Sequence, residues 1–109
     1  MTEMTKLQEL SFEIIGHAGD AKSCAYEALA AAKANDRELF EKKMEEADEF
    51  INKAHKIQFQ LLQAESKGEL DDSRFSIVVV HGQDHMMTVM TQIETFKEIG
   101  EMYLKFNNR

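Results

Sequence analysis

Two histidines four residues apart, His81 and His85, with Asp84 beside the second, are the side chains of this chain best suited to do chemistry. Their stretch reads IVVVHGQDHMMT over residues 77–88. Histidines at i and i+4 share a face of a helix, so one chemistry open to them is metal ligation. A third protein ligand is missing at any obvious spacing, and the zinc-protease pattern H-E-x-x-H fails because Gly82 stands where the glutamate base would be. The other chemistry is nucleophilic. A neutral imidazole, with an ordinary pKa of about 6.5, takes up a covalent group through a ring nitrogen and gives it up again. Phosphoryl is the natural cargo, provided that the ring opens onto a groove, a neighbour fixes its orientation and donors reach the phosphoryl oxygens. Gln83, His85, Thr88 and Gln92 are the candidates for those tasks, and Gly82 removes bulk beside the ring. Against both stands a purely structural reading, since polar side chains on an inner helix face also occur as self-satisfied networks.

The element that must position these residues is a helix. At about 100° per residue His81, His85, Thr88 and Gln92 form one narrow stripe, with Asp84 roughly 60° to its side. Gly82, Met86, Val89, Ile93 and Phe96 gather about 100° away and follow the spacing of a core-facing face. Three valines after Ile77 also suit a buried strand, but the continuation decides. From Gly82 to Phe106 there is no proline or turn cluster, and Met86, Val89, Ile93, Phe96, Ile99 and Tyr103 keep a helical period. One helix is expected from about Phe75 to Phe106. Of all residues 30% are charged, yet between Phe75 and Ile93 only Asp84 is, which implies burial and a polar face in need of a partner.

Upstream, Leu7, Leu10, Ile14, Ala18, Ala21, Ala25, Ala28 and Ala32 mark a first helix from about Thr5 to Ala34. Its alanines suit close approach by a neighbouring helix. Gly16 and Gly19 each disfavour a helix by about 1 kcal/mol relative to alanine, and so need a reason such as close contact or room for a neighbour's side chain. His17, between them, reads as an ordinary, partly exposed histidine. Asn35-Asp36 breaks the helix, with Asp36 a suitable N-cap for the next. That second helix runs to Lys67 through Phe40, Met44, Ala47, Ile51, Ala54, Ile57 and Leu61, and Gly68 ends it. His55 reads as structural, near the packed stripe. Glu45, Glu46, Asp48 and Glu49 read as a solvated face. A link this short makes the two helices antiparallel neighbours. The second connection spans Gly68 to Arg74, with Asp72 or Ser73 as cap.

With no proline and only 5 glycines in 109 residues, the expected architecture is all-α, an antiparallel three-helix bundle forming one domain over residues 1–109. A net charge of -7 argues against nucleic acid as a partner, because its binding rests on Lys and Arg. The single cysteine, Cys24, has no disulfide partner and reads as a small buried filler among alanines. Without a signal peptide or an apolar run of about 18 residues, a cytoplasmic protein with no membrane insertion is expected. Phosphate-binding glycine loops and a G-x-S-x-G elbow are absent.

Residues 80–88, VHGQDHMMT, resemble the V-H-A-Q-D-H-L-M-T motif of the enzyme IIA components of the lactose/cellobiose class of the bacterial sugar phosphotransferase system. The resemblance extends to the segment Ile14–Ser23, to Tyr26–Leu29, to Ala54–Gln58 and to Gln63–Glu65. Gly82 stands where that family usually has alanine, and Met86 where leucine is common. The resemblance implies a phosphocarrier in which His81 accepts phosphoryl from the phosphohistidine of HPr and passes it to a cysteine of the cognate enzyme IIB, during uptake of a β-linked disaccharide. It implies that His85 and Gln83 orient or contact the phosphoryl group. It also implies a homotrimer in which the three Asp84 carboxylates meet one divalent cation, Mg2+ by preference, at the threefold axis. The alternative is a non-catalytic helical oligomer that uses His81, Asp84 and His85 to hold a metal for structure alone.

Overall fold

The computed structural model describes residues 5–68 and 77–108, and these form three helices: α1 (Lys6–Lys33), α2 (Arg37–Ser66) and α3 (Ile77–Asn107). Each boundary between α1 and α2 follows from local chemistry. Thr5 caps α1 reciprocally with Gln8: its hydroxyl accepts from the Gln8 amide at 3.1 Å, and its own amide donates to the Gln8 side chain at 3.2 Å. Asn35 takes the left-handed conformation (φ 61°) that turns the chain, and the Asp36 carboxylate accepts from the Leu39 amide at 3.1 Å to start α2. Gly68, at φ 69°, closes α2, a conformation that side-chain-bearing residues reach only with strain. The expected cap at Asp72 or Ser73, and the expected start of the third helix at Phe75, lie outside the described residues.

Cross-helix contacts fix the directions. Glu27 meets Lys43 at 2.8 Å, Asp48 meets Lys97 at 2.9 Å and Arg37 meets Glu101 at 3.0 Å, so α2 runs antiparallel to both neighbours. Tyr26 packs edge-on against Phe96, with ring centroids 4.9 Å apart, and Lys33 lies over the Tyr103 ring; α1 and α3 are therefore parallel, up-down-up. α1 is the middle helix, packed extensively on both others, while α2 and α3 touch each other far less. Its alanine stripe explains this arrangement. Ala18, Ala21, Ala25, Ala28 and Ala32 are fully buried and leave no bulk to hold a neighbour away. The larger core residues come from all three helices: Ile14, Phe40, Met44, Ile51, Leu61, Met86, Val89, Ile93 and Leu104. Burial of each such side chain stabilises by about 1.5–3 kcal/mol.

Three expectations need correction. In the last turns of α3 the buried positions are Gly100 and Leu104, not Ile99 and Tyr103: Ile99 is half-buried and Tyr103 is 40% exposed. The seam moves because Gly100 admits the Phe40 ring, which a strictly hydrophobic pattern does not register. The acidic run on α2 is not simply solvated, since Glu46 and Asp48 pair with Lys43 and Lys97. His55 is exposed on α2, in a shallow groove with Phe59 and Gln63.

Cys24 fills a buried position on α1 as expected, with its Sγ 3.9 Å from a Glu46 carboxylate oxygen. Burial, followed by the charges of Glu46 and Glu27, pushes its thiol above the ordinary value of 9.0. Native protein should consequently react with iodoacetamide at pH 8 at least tenfold more slowly than urea-unfolded protein, because both thiolate and access are scarce. Equal rates would contradict the buried thiol. Gly16 contrasts with the other helical glycines: it is exposed, and a Cβ there would meet nothing within 4 Å. Gly16→Ala should accordingly stabilise the protein by roughly 1 kcal/mol in a urea titration, the ordinary difference in helix propensity.

Candidate functional site

The site is built where the start of α3 crosses the first half of α1. Gly82 makes the crossing close: a Cβ at this position would lie 3.2 Å from the Ser11 carbonyl oxygen and 3.7 Å from Ile15. Ser11 is itself fully buried and satisfied, its hydroxyl donating to the Leu7 carbonyl at 2.8 Å. With Gly82 seated on α1, the residues on either side of it emerge on opposite flanks of α3.

His81 and His85 share one flank. Their rings are stacked, with centroids 5.9 Å apart and planes within 3° of parallel. His81 is exposed, whereas His85 is half-buried against α1. Gly19 of α1 faces this ring: a Cβ on it would lie 4.0 Å from His85 Nε2, an ordinary contact. Burial, then the charge of Lys22 and then that of His81, lower the pKa of His85 below its ordinary 6.5 and so favour a neutral ring at neutral pH. The arrangement is an accessible imidazole backed by a second, uncharged one, which can accept or donate a hydrogen bond without adding charge.

Gln83 lies on the opposite flank. Its side-chain oxygen accepts from the Gln58 amide of α2. Within one chain, then, Gln83 is not brought to His81; it ties α3 to α2 below the histidine pair. Asp84 is exposed and makes no ion pair among the described residues. Thr88 is exposed, and Gln92, further along the histidine stripe, has its Oε1 buried without a hydrogen bond. Of the other histidines, half-buried His17 and exposed His55 make no ring contact with the pair.

Within the subunit the charge-poor stretch is buried on one face only, through Gly82, Met86, Val89 and Ile93. Val80 is 36% and Met87 56% exposed, alongside exposed His81, Asp84 and Thr88. α1 and α2 cover one side of α3, and among the described residues no third element covers the other. Nor do His81, Asp84 and His85 form a metal centre within one chain: no three His, Cys, Asp or Glu side chains among the described residues are placed to hold an ion. Stacked parallel rings direct their lone pairs side by side and not at a common point. Two residues that the sequence alone did not single out, Lys22 and Gln58, join the site from α1 and α2. Both fall in segments that carry the family resemblance, which was the available signal.

Comparisons with known proteins bear on the family and the fold. The chain is 46% identical over 100 residues to the lactose-specific EIIA component of the phosphotransferase system of Staphylococcus epidermidis, an alignment covering 92% of this chain and 94% of that protein. It superposes on the crystal structure of the cellobiose-specific enzyme IIA from Bacillus anthracis with a TM-score of 0.91 and 34% identity, covering 98% of this chain and 96% of the other. The IIA(chitobiose) chain solved in complex with HPr from Escherichia coli gives a TM-score of 0.78 and 30% identity, with 95% and 99% covered. No helix among the described residues is long and apolar enough to cross a membrane. The model of the lactose/cellobiose-specific IIA subunit of the phosphotransferase system matches residues 9–104, and the chain belongs to that family of phosphotransferase carriers.

Proposed function

We propose that this chain, acting as one domain over residues 1–109, relays phosphoryl in the cytoplasm from the phosphohistidine of HPr to a cysteine of its cognate enzyme IIB. The β-linked disaccharide that is finally phosphorylated binds the membrane component and never this chain. The observation that carries the reading is the stacked pair itself: an exposed His81 backed by His85, on a helix face free of Lys, Arg and Glu.

In the first transfer an unprotonated ring nitrogen of His81 bonds to phosphorus while the donor's N–P bond breaks. The donor imidazole keeps that electron pair and gains a proton, and the His81 ring gives up its N–H proton, so charge balances. In the second, the IIB thiolate sulfur bonds to phosphorus, the His81 N–P bond breaks, and the proton lost by the thiol restores the imidazole. His85 holds the His81 ring in place as a neutral neighbour that can accept or donate a hydrogen bond. Gln83, anchored by Gln58, acts at one remove by fixing α3 on α2. The test is incubation with phosphoenolpyruvate, enzyme I and HPr, which should place one acid-labile phosphoryl group per chain.

The exposed, charge-poor face supports assembly of three copies around α3, with Asp84 of each chain near the axis. An exposed carboxylate that makes no ion pair among the described residues is a hard oxygen donor that fits a divalent cation such as Mg2+. The cation would neutralise three carboxylates that otherwise repel. Asp84→Asn removes donor and repulsion together, so the variant should remain trimeric by light scattering while losing the dependence of its melting temperature on added Mg2+. A variant that scatters only as a monomer would contradict this arrangement.

A further inference from the structure

We propose that the ammonium group of Lys22 binds the phosphoryl oxygens carried on His81, making Lys22 a phosphoryl-contacting residue of the site; this rests on the phosphocarrier reading. Three observations converge. First, Lys22 follows Gly19 by three residues on α1, and Gly19 faces the imidazole pair, a Cβ on it lying 4.0 Å from His85 Nε2. Residues three apart share a helix face and helical side chains lean toward the preceding turn, so Lys22 lies on the face of α1 that meets the imidazole pair.

Second, Lys22 is half-buried and makes no ion pair among the described residues, although the chain has 20 acidic against 13 basic side chains. Other half-buried lysines behave differently: Lys43 is held by Glu27 and Glu46 at 2.8 and 3.2 Å, and Lys97 by Asp48 at 2.9 Å. A partly desolvated cation without an anion, beside a nucleophile that acquires a dianionic group, has a partner only in the phosphorylated state. Third, its charge reaches the site, since it is the largest electrostatic influence on the neighbouring His85 ring. Asp84 emerges on the same end of α3 but makes no ion pair with Lys22, so the lysine stays available.

Lys22 exchanges no atom in the transfer. It neutralises charge that the phosphoryl group brings to the site and aligns the phosphorus for attack, as a lysine point charge does in other phosphate sites. The contact is present in the transition state and in phospho-His81 alike, so it acts on rate and on the lifetime of the product.

The test compares wild type, Lys22→Gln and Lys22→Arg, each first checked by circular dichroism for its helices. Phospho-HPr is the donor. In Lys22→Gln the rate of His81 labelling should fall about tenfold at low salt, the order of one charge-assisted contact, and 0.5 M NaCl should narrow the gap by screening. Lys22→Arg should recover most of the rate. Independently, acetylation of the wild type with an N-hydroxysuccinimide ester, read by mass spectrometry, should show Lys22 several-fold less reactive in the phosphorylated protein while exposed Lys53 is unchanged. If His81 labels in wild type but Lys22→Gln matches its rate and Lys22 gains no protection, the assignment of Lys22 is overturned and the carrier reading stands. If wild type never labels, both fall.

Discussion

Replacing His81 with alanine is expected to abolish labelling from phospho-HPr while leaving the protein folded. The ring is exposed and, among the described residues, stacks only on His85, so its loss should change stability by no more than about 0.5 kcal/mol. Against that, no other group takes over the chemistry. His85 is half-buried against α1, which denies a docking protein the approach that His81 offers. Acid-labile phosphate on the variant should drop to background, a loss of at least about a thousandfold in rate, as when a covalent nucleophile is removed. His85→Ala should behave differently, still labelling at His81 but about tenfold more slowly because the ring is no longer held. Phosphate retained on His81→Ala at the wild-type rate would end the phosphocarrier assignment for this residue.

The second large effect concerns stability and lies at the other end of α3. A Cβ on Gly100 would sit 2.2 Å from Phe40 Cε1 and 2.7 Å from Cζ, distances that real atoms do not tolerate. Phe40 is only 3% exposed, so its ring cannot swing into solvent without emptying part of the core. Overpacking of this kind costs about 1–3 kcal/mol and occasionally more, while the gain in helix propensity returns at most about 1 kcal/mol. Gly100→Ala should therefore destabilise by about 2 kcal/mol, lowering the melting temperature by roughly 10 °C. Phe40→Leu destabilises on its own by leaving a cavity, yet combined with Gly100→Ala it should restore part of the loss, because the two changes share one volume. Additive penalties in the double variant would show that the clash is not the cause.

How much of this was legible in the sequence depends on where each determinant resides. The breaks between helices rest on neighbours in the chain: Asp36 caps α2 through the Leu39 amide, and Gly68 closes it at positive φ, so both could be read locally. The histidine pair was legible because i and i+4 is a property of a single helix. Lys22 and Gln58 were not, since they reach the site from other helices and only the packing register brings them there. The same holds for Gly100, whose burial is decided by an aromatic ring on α2 and not by its own hydrophobicity. The scarcity of charge between Phe75 and Ile93 carried two meanings, burial and a face in need of a partner, and within the single chain the first holds for only one side of the helix. The other side is a face that the single chain leaves open, as Val80 and Met87 show.

From His81 to Gly100 the helix rises about 28 Å, at 1.5 Å per residue. The Phe40 ring and the bidentate Arg37–Glu101 pair fasten α3 at the far pole, at 3.0 and 3.1 Å, well away from the histidines. Perturbations so far apart combine independently. Lineages of this bundle can thus drift toward new docking proteins at one tip without spending robustness, and adapt to heat at the other without retuning their relay.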